Sequence, residues 1–116
     1  MTVSEIISRA DAIRPNSIPE EVKLGFLSDV EGDVRVLIRC EDPAGVKPLT
    51  AADRGKVLTA PHPFDKLYTH YLCAMYAWHA GDSEMYANDR VVFETAWRDY
   101  AKWNQRTGGG VRHGSF

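Results

Sequence analysis

Four side chains able to ligate a metal ion or haem, His70, Cys73, Met75 and His79, fall within the stretch YTHYLCAMYAWHAGDSEMY that begins at Tyr68. Helical geometry decides whether they can act together. Each residue of an α-helix turns about 100° around the axis. His70 and His79 are nine positions apart, so they point to opposite faces and cannot share an ion. Cys73 falls near the side of His70, but a structural zinc site needs four ligands. The spacing of His62, His70 and Cys73 matches no metal-ligand pattern. The histidines read as surface or capping residues, and no metal or other cofactor is expected.

The same stretch carries a packing signal. Leu67, Tyr68, Tyr71, Leu72, Met75 and Trp78 recur at helical spacing, the pattern of a core-facing stripe. A second run follows in the next helix. Together Tyr68, Tyr71, Met75, Trp78, Tyr86, Phe93, Trp97, Tyr100 and Trp103 make up the expected packing seam of a helical hairpin. Ten of the twelve aromatic residues lie between Phe64 and Trp103, more than one small hairpin easily buries. Tyrosine and tryptophan are enriched at interfaces, so self-association is expected.

Other chemistry finds little footing. The chain contains no GxSxG, P-loop or HExxH pattern, and its Gly108–Gly110 run ends a helix instead of opening one. It is therefore read as a non-enzyme. Arg98, Lys102 and Arg106 line one side of the last helix, a stripe that would give only weak, salt-sensitive contact with nucleic acid. The 116 residues carry a net charge of −2, with 44% hydrophobic and 26% charged residues, as in an ordinary single globular domain. The charge is uneven: residues 1–42 hold nine acids and five bases, net −4, and residues 98–116 hold four bases and one acid, net +3. Opposite-sign ends suit stacking against further copies or an acidic partner; the alternative on charge alone is two solvated surfaces with no partner. No segment reads as a signal peptide, and none is apolar enough to cross a membrane, so the expected site of synthesis is the cytoplasm.

The elements that must hold these residues are helical. Thr2 and Glu5 form a capping-box pattern ahead of a first helix, which Arg14-Pro15 ends. A second helix starts at Pro19, places Leu27, Val30, Val34, Leu37 and Ile38 on one face, and runs to about Arg39 with a weak point at Gly32. Residues 43–62 break the periodicity; only Lys56–Thr59 resembles a short strand. This segment, with Val46, Leu49, Val57 and Leu58, is read as a β-hairpin or arm that pairs with a neighbour. The alternative is a loop folded over its own core. A third helix from about Pro63 to Ala80 and a fourth through Gln105 are joined by Gly81-Asp82 into an αα-hairpin. The fold expected is all-α: a bundle of about four helices over residues 1–106, an arm between helices two and three, and a flexible tail at 107–116.

Several of these residues resemble one known family. Pro-x-Pro-aromatic-Asp-x-Leu-Tyr (Pro61 to Tyr68), the Tyr71-Leu72 pair, Tyr86-x-Asn88, Phe93 and Tyr100-Ala-x-Trp103-x-x-Arg106 resemble the helical hairpin of tailed-phage head–tail connector proteins, also called adaptor or head completion proteins. Arg14-Pro15-Asn16 and Lys23-Leu24-x-x-Leu27-x-x-x-Glu31-Gly32 look like the same group, so the resemblance spans residues 1–106. It implies a structural virion protein that assembles as a ring, commonly twelvefold, beneath the portal. Its partners would be further copies of itself, the portal protein, and a tail or second connector (stopper) protein. DNA would be met only in passage through the ring, and a membrane not at all. The resemblance makes residues 43–62 the intersubunit arm, and Arg106, Val111, Arg112, His113 and Phe116 the portal-facing tail, although the glycine triplet departs from a helical tail. A small helical chaperone or assembly inhibitor outside the virion is the alternative.

Overall fold

Thr2 opens the first helix by exchanging bonds with Glu5: its hydroxyl accepts from the Glu5 N–H, and the Glu5 carboxylate accepts from the Thr2 N–H. This is the expected capping box, and it starts α1, Val3–Ile13. The computed structural model describes residues 1–108; Val111, Arg112, His113 and Phe116 of the tail lie outside them. Helix α1 buries Val3, Ile6 and Ala10 and ends at Arg14. The Arg14 guanidinium grips Asp89 with two bonds of 2.9 and 3.3 Å.

Helix α2, Glu20–Asp33, begins one residue after Pro19, which serves as its N-cap. The helix passes straight through Gly32, the expected weak point. The break in winding comes two residues later, where Val34–Ile38 form a π turn and the Arg39 N–H reaches back to the Val34 carbonyl at 3.0 Å. The extra residue in that turn carries Leu37 off the buried stripe: it is 66% exposed, contrary to the sequence pattern.

Residues 43–62 hold two short 3₁₀ turns, Pro43–Gly45 and Ala51–Asp53. The expected strand at Lys56–Thr59 reduces to one antiparallel bridge, between Val57 and Thr2. The Val3 and Ser4 N–H groups donate to the carbonyls of Lys56 and Arg54 at 2.9 and 3.0 Å. Loop backbone thus supplies acceptors for α1 donors that have no partner within their own helix.

Helix α3, Lys66–His79, starts later than the Pro63 expected, because residues 62–65 form a turn in which the Phe64 and Asp65 N–H groups both bond the Pro61 carbonyl. Gly81 then adopts the left-handed φ of +78° that a tight helix–helix turn requires. Asp82 caps α4, Ser83–Thr107, by accepting from the Met85 N–H at 3.0 Å.

Together these four α-helices form an all-α bundle with α3 at its centre, packed against α1, α2 and α4. The burial of Leu67, Tyr68, Thr69, Leu72, Cys73, Ala74, Tyr76 and Ala77 on α3 leaves few sides free. Side chains of the Leu, Ile, Val and Phe class stabilise by about 1.5–3 kcal/mol each when fully buried, so this core outweighs the surface ion pairs, at roughly 0–1 kcal/mol apiece.

Candidate interaction surfaces

Glu31 lies in the last turn of α2, 5% exposed, and a carboxylate there needs donors. The loop and α3 provide them. Thr59 gives its hydroxyl at 2.7 Å and its N–H at 3.2 Å to Oε2, and Tyr68 gives its hydroxyl at 2.6 Å to Oε1. The Tyr68 oxygen in turn accepts from the Ala60 N–H at 2.9 Å. Burial, and next the Glu31 charge, push the Tyr68 pKa up, so the phenol stays a proton donor. One carboxylate therefore ties α2, the loop and α3 together. The sequence reading placed Glu31 only within the family pattern, and helical spacing gave no sign of its burial.

The four residues assigned to an intersubunit arm divide. Leu49 and Leu58 are buried in this chain's own core, and the Leu49 N–H donates to Ser28 Oγ at 2.7 Å. Val46 is half-buried beside Gly32, whereas Val57 is 65% exposed. Across the loop, Arg54 makes a fork of two bonds to Glu20 at the start of α2. Within one copy the segment folds back over its own helices, and Val57 is the large apolar side chain it leaves outward.

The seam residues also divide. Tyr68 and Tyr100 are fully buried and Phe93 nearly so; Tyr71, Met75, Tyr86, Trp97 and Trp103 are half-buried. Trp78 is 58% exposed and does not belong to the seam. The rings of Tyr71 and Phe93 meet edge to face at 5.2 Å. Asn104 was not singled out from sequence. It is buried, donates to the Ile38 carbonyl at 3.2 Å, and so fastens the π turn to α4.

A groove of about 350 Å³ runs between the π turn and α4. Leu37, Tyr71, Phe93 and Trp97 form its apolar walls, and Asp33, Arg90 and Glu94 its polar ones. Arg90 bonds Glu94 at 3.2 Å and lies over the Phe93 ring, so its charge is answered locally. Asp33, although exposed, has no such counterpart among the described residues: partial desolvation at the groove edge, and next the charge of Asp29, push its carboxyl above the ordinary range. Around the outside of α4 lie Val91, 63% exposed, and the exposed Arg98, Lys102 and Arg106.

The side chains with possible chemistry stay apart. Cys73 is buried, its thiol pushed up to about 11 by desolvation, and Cys40 is exposed elsewhere on the surface. His70 is half-buried, its pKa lowered by desolvation and next by Lys66, and His79 is exposed. Among the described residues no three His, Cys, Asp or Glu side chains converge as metal ligands, and no helix is long and apolar enough to cross a membrane. Compared with known protein families, characterised proteins and solved structures, the chain matches none.

Proposed function

We propose that this chain is a structural component of a tailed-phage virion, one that assembles as a ring and joins the portal at the head to the tail. The observation that carries the reading is a sequence pattern: Pro61–Tyr68 and Tyr100–Arg106 resemble the connector hairpin. Leu37, Val57, Trp78 and Val91, each at least 58% exposed and on separate elements, are places where neighbours would be met, although single exposed apolar side chains are also ordinary on a soluble surface.

In this reading the ring encloses the DNA exit channel, one surface meets the portal, and another meets a tail or stopper protein. Arg106, at the end of α4, belongs to the portal-facing segment. The protein is made in the bacterial cytoplasm and resides at the head–tail junction of the finished particle.

Mixing the purified chain with portal protein, then following mass by light scattering and shape by electron microscopy, tests the proposal. A ring seated on the portal is the expected result. No ring at any concentration and no binding to portal would overturn it. A discrete dimer, absent from purified virions, would instead identify a helical chaperone or assembly inhibitor.

A further inference from the structure

Two surfaces of the chain are complementary and face in different directions. The groove between the π turn and α4 is walled by Leu37, Tyr71, Phe93 and Trp97, and its α2 edge carries Asp33, with Asp29 one turn earlier. Neither aspartate forms an ion pair among the described residues, and their mutual repulsion is part of what raises the Asp33 pKa. On the outer face of α4, Arg98, Lys102 and Arg106 recur every four residues, equally without ion pairs among the described residues. Asp99 on the flank offsets one of these three charges, leaving the stripe positive.

We infer that the groove of one copy receives the α4 outer face of the next, with Arg98 and Lys102 against Asp29 and Asp33. The inference rests on the ring reading and names the surfaces by which neighbouring copies meet. Charge selects the occupant: an acidic rim needs a cationic visitor, and this chain presents one. Shape agrees, because arginine and lysine bring aliphatic stems that can lie along aromatic and leucine walls while their heads reach carboxylates. Val91 lies on the same outer face two turns before Arg98 and adds apolar surface to it.

The geometry also favours one kind of assembly. Lys102 follows Trp97 by five residues and Glu94 by eight, so it is turned about 140° and 80° around α4 from these two groove-wall residues. Two copies that each insert a stripe into the other's groove would need those surfaces on one face. Surfaces that diverge make a head-to-tail contact, which repeats until it closes a ring or grows as an open helix. Exposed charges are screened beyond roughly 8 Å at physiological salt, so assembly should weaken as salt rises.

Charge reversal on each side tests the pairing. One variant carries Asp29→Lys and Asp33→Lys, so groove and stripe are both positive; the other carries Arg98→Glu and Lys102→Glu, so both are negative. All four residues are exposed, and circular dichroism with thermal melting verifies the fold of each variant. Sedimentation, with and without portal, should find neither variant assembling alone. An equimolar mixture should recover the wild-type assembly, because every contact in an alternating ring is then between opposite charges. If either variant assembles like wild type, the groove and stripe do not meet, although the ring reading stands. Loss in both without recovery on mixing would show that each surface meets something other than the other, and would equally overturn the pairing. A wild-type chain that neither assembles nor binds portal would remove the ring reading itself.

Discussion

The Tyr68 hydroxyl stands 2.6 Å from the Glu31 carboxylate and accepts the Ala60 N–H at 2.9 Å, so one phenol oxygen bridges α2 and the loop that crosses it. Tyr68→Phe keeps the ring, leaves the Ala60 N–H without its acceptor and takes from Glu31 one of its donors. Stability should fall by about 1–3 kcal/mol, the cost of leaving buried polar groups unmet. Urea denaturation measures the loss, and cleavage within residues 43–62 by a protease should accelerate in parallel. An unchanged urea midpoint would show that the bridge contributes nothing.

Thr69, the next residue, makes the opposite case. Its hydroxyl is buried and meets no hydrogen-bond partner among the described residues. Thr69→Val removes that hydroxyl at nearly constant shape, so stability should stay within about 0.5 kcal/mol of wild type or rise. A loss as large as that of Tyr68→Phe would reveal a partner for the hydroxyl.

Asp33 should leave a mark on the pH dependence. Partial desolvation, and next the charge of Asp29, raise its carboxyl above the ordinary range, so the folded chain holds this proton more tightly than the unfolded chain. Between the unfolded and folded values the native state binds more protons, and stability from this group falls as pH rises through that window. Asp33→Asn removes the effect. Thermal scans across acidic pH should show the melting temperature of the variant gaining on wild type as pH rises, then holding a constant lead. Parallel curves at every pH would contradict this.

The two cysteines should differ in reactivity. Cys73 is 3% exposed and its thiol is pushed up to about 11, whereas Cys40 is exposed. An alkylating reagent near neutral pH should mark Cys40 in the folded chain and reach Cys73 only in denaturant, because the thiolate is the reacting form. Mass spectrometry of tryptic peptides distinguishes the sites. Equal labelling under native conditions would mean that α3 opens readily.

Local chemistry was legible in the sequence, and long-range packing was not. The Thr2–Glu5 box, the Gly81 turn and the Asp82 cap each depend on a few neighbouring residues, and each stands where the pattern placed it. The π turn at Val34–Ile38 has no such marker: the apolar spacing continues through it and puts Leu37 on one face with Val30 and Val34, yet Leu37 is exposed. Tyr71 and Trp97 were read as core, yet they are half-buried along the groove, so truncating either to alanine should cost less than the roughly 3–5 kcal/mol of a fully buried aromatic. Glu31 reads in the sequence as one more solvated charge, because burial of a carboxylate depends on donors that arrive from residues 59 and 68. The candidate surfaces were half visible. The basic stripe is a pattern within one helix, but the groove opposite it needs Asp33, Tyr71 and Trp97, which come together only in the folded chain.

The central position of α3 also sets an order of events during synthesis. Helices α1 and α2 leave the ribosome before the helix on which both of them pack, and the carbonyls of Arg54 and Lys56 that complete the start of α1 come later than α1 itself. The first half of the nascent chain therefore waits with Ile6, Leu27 and Val30 uncovered until Leu67–Tyr76 emerges to close over them. Over that interval the nascent chain is open to chaperones and proteases, and a pause in translation just before α3 would prolong its exposure.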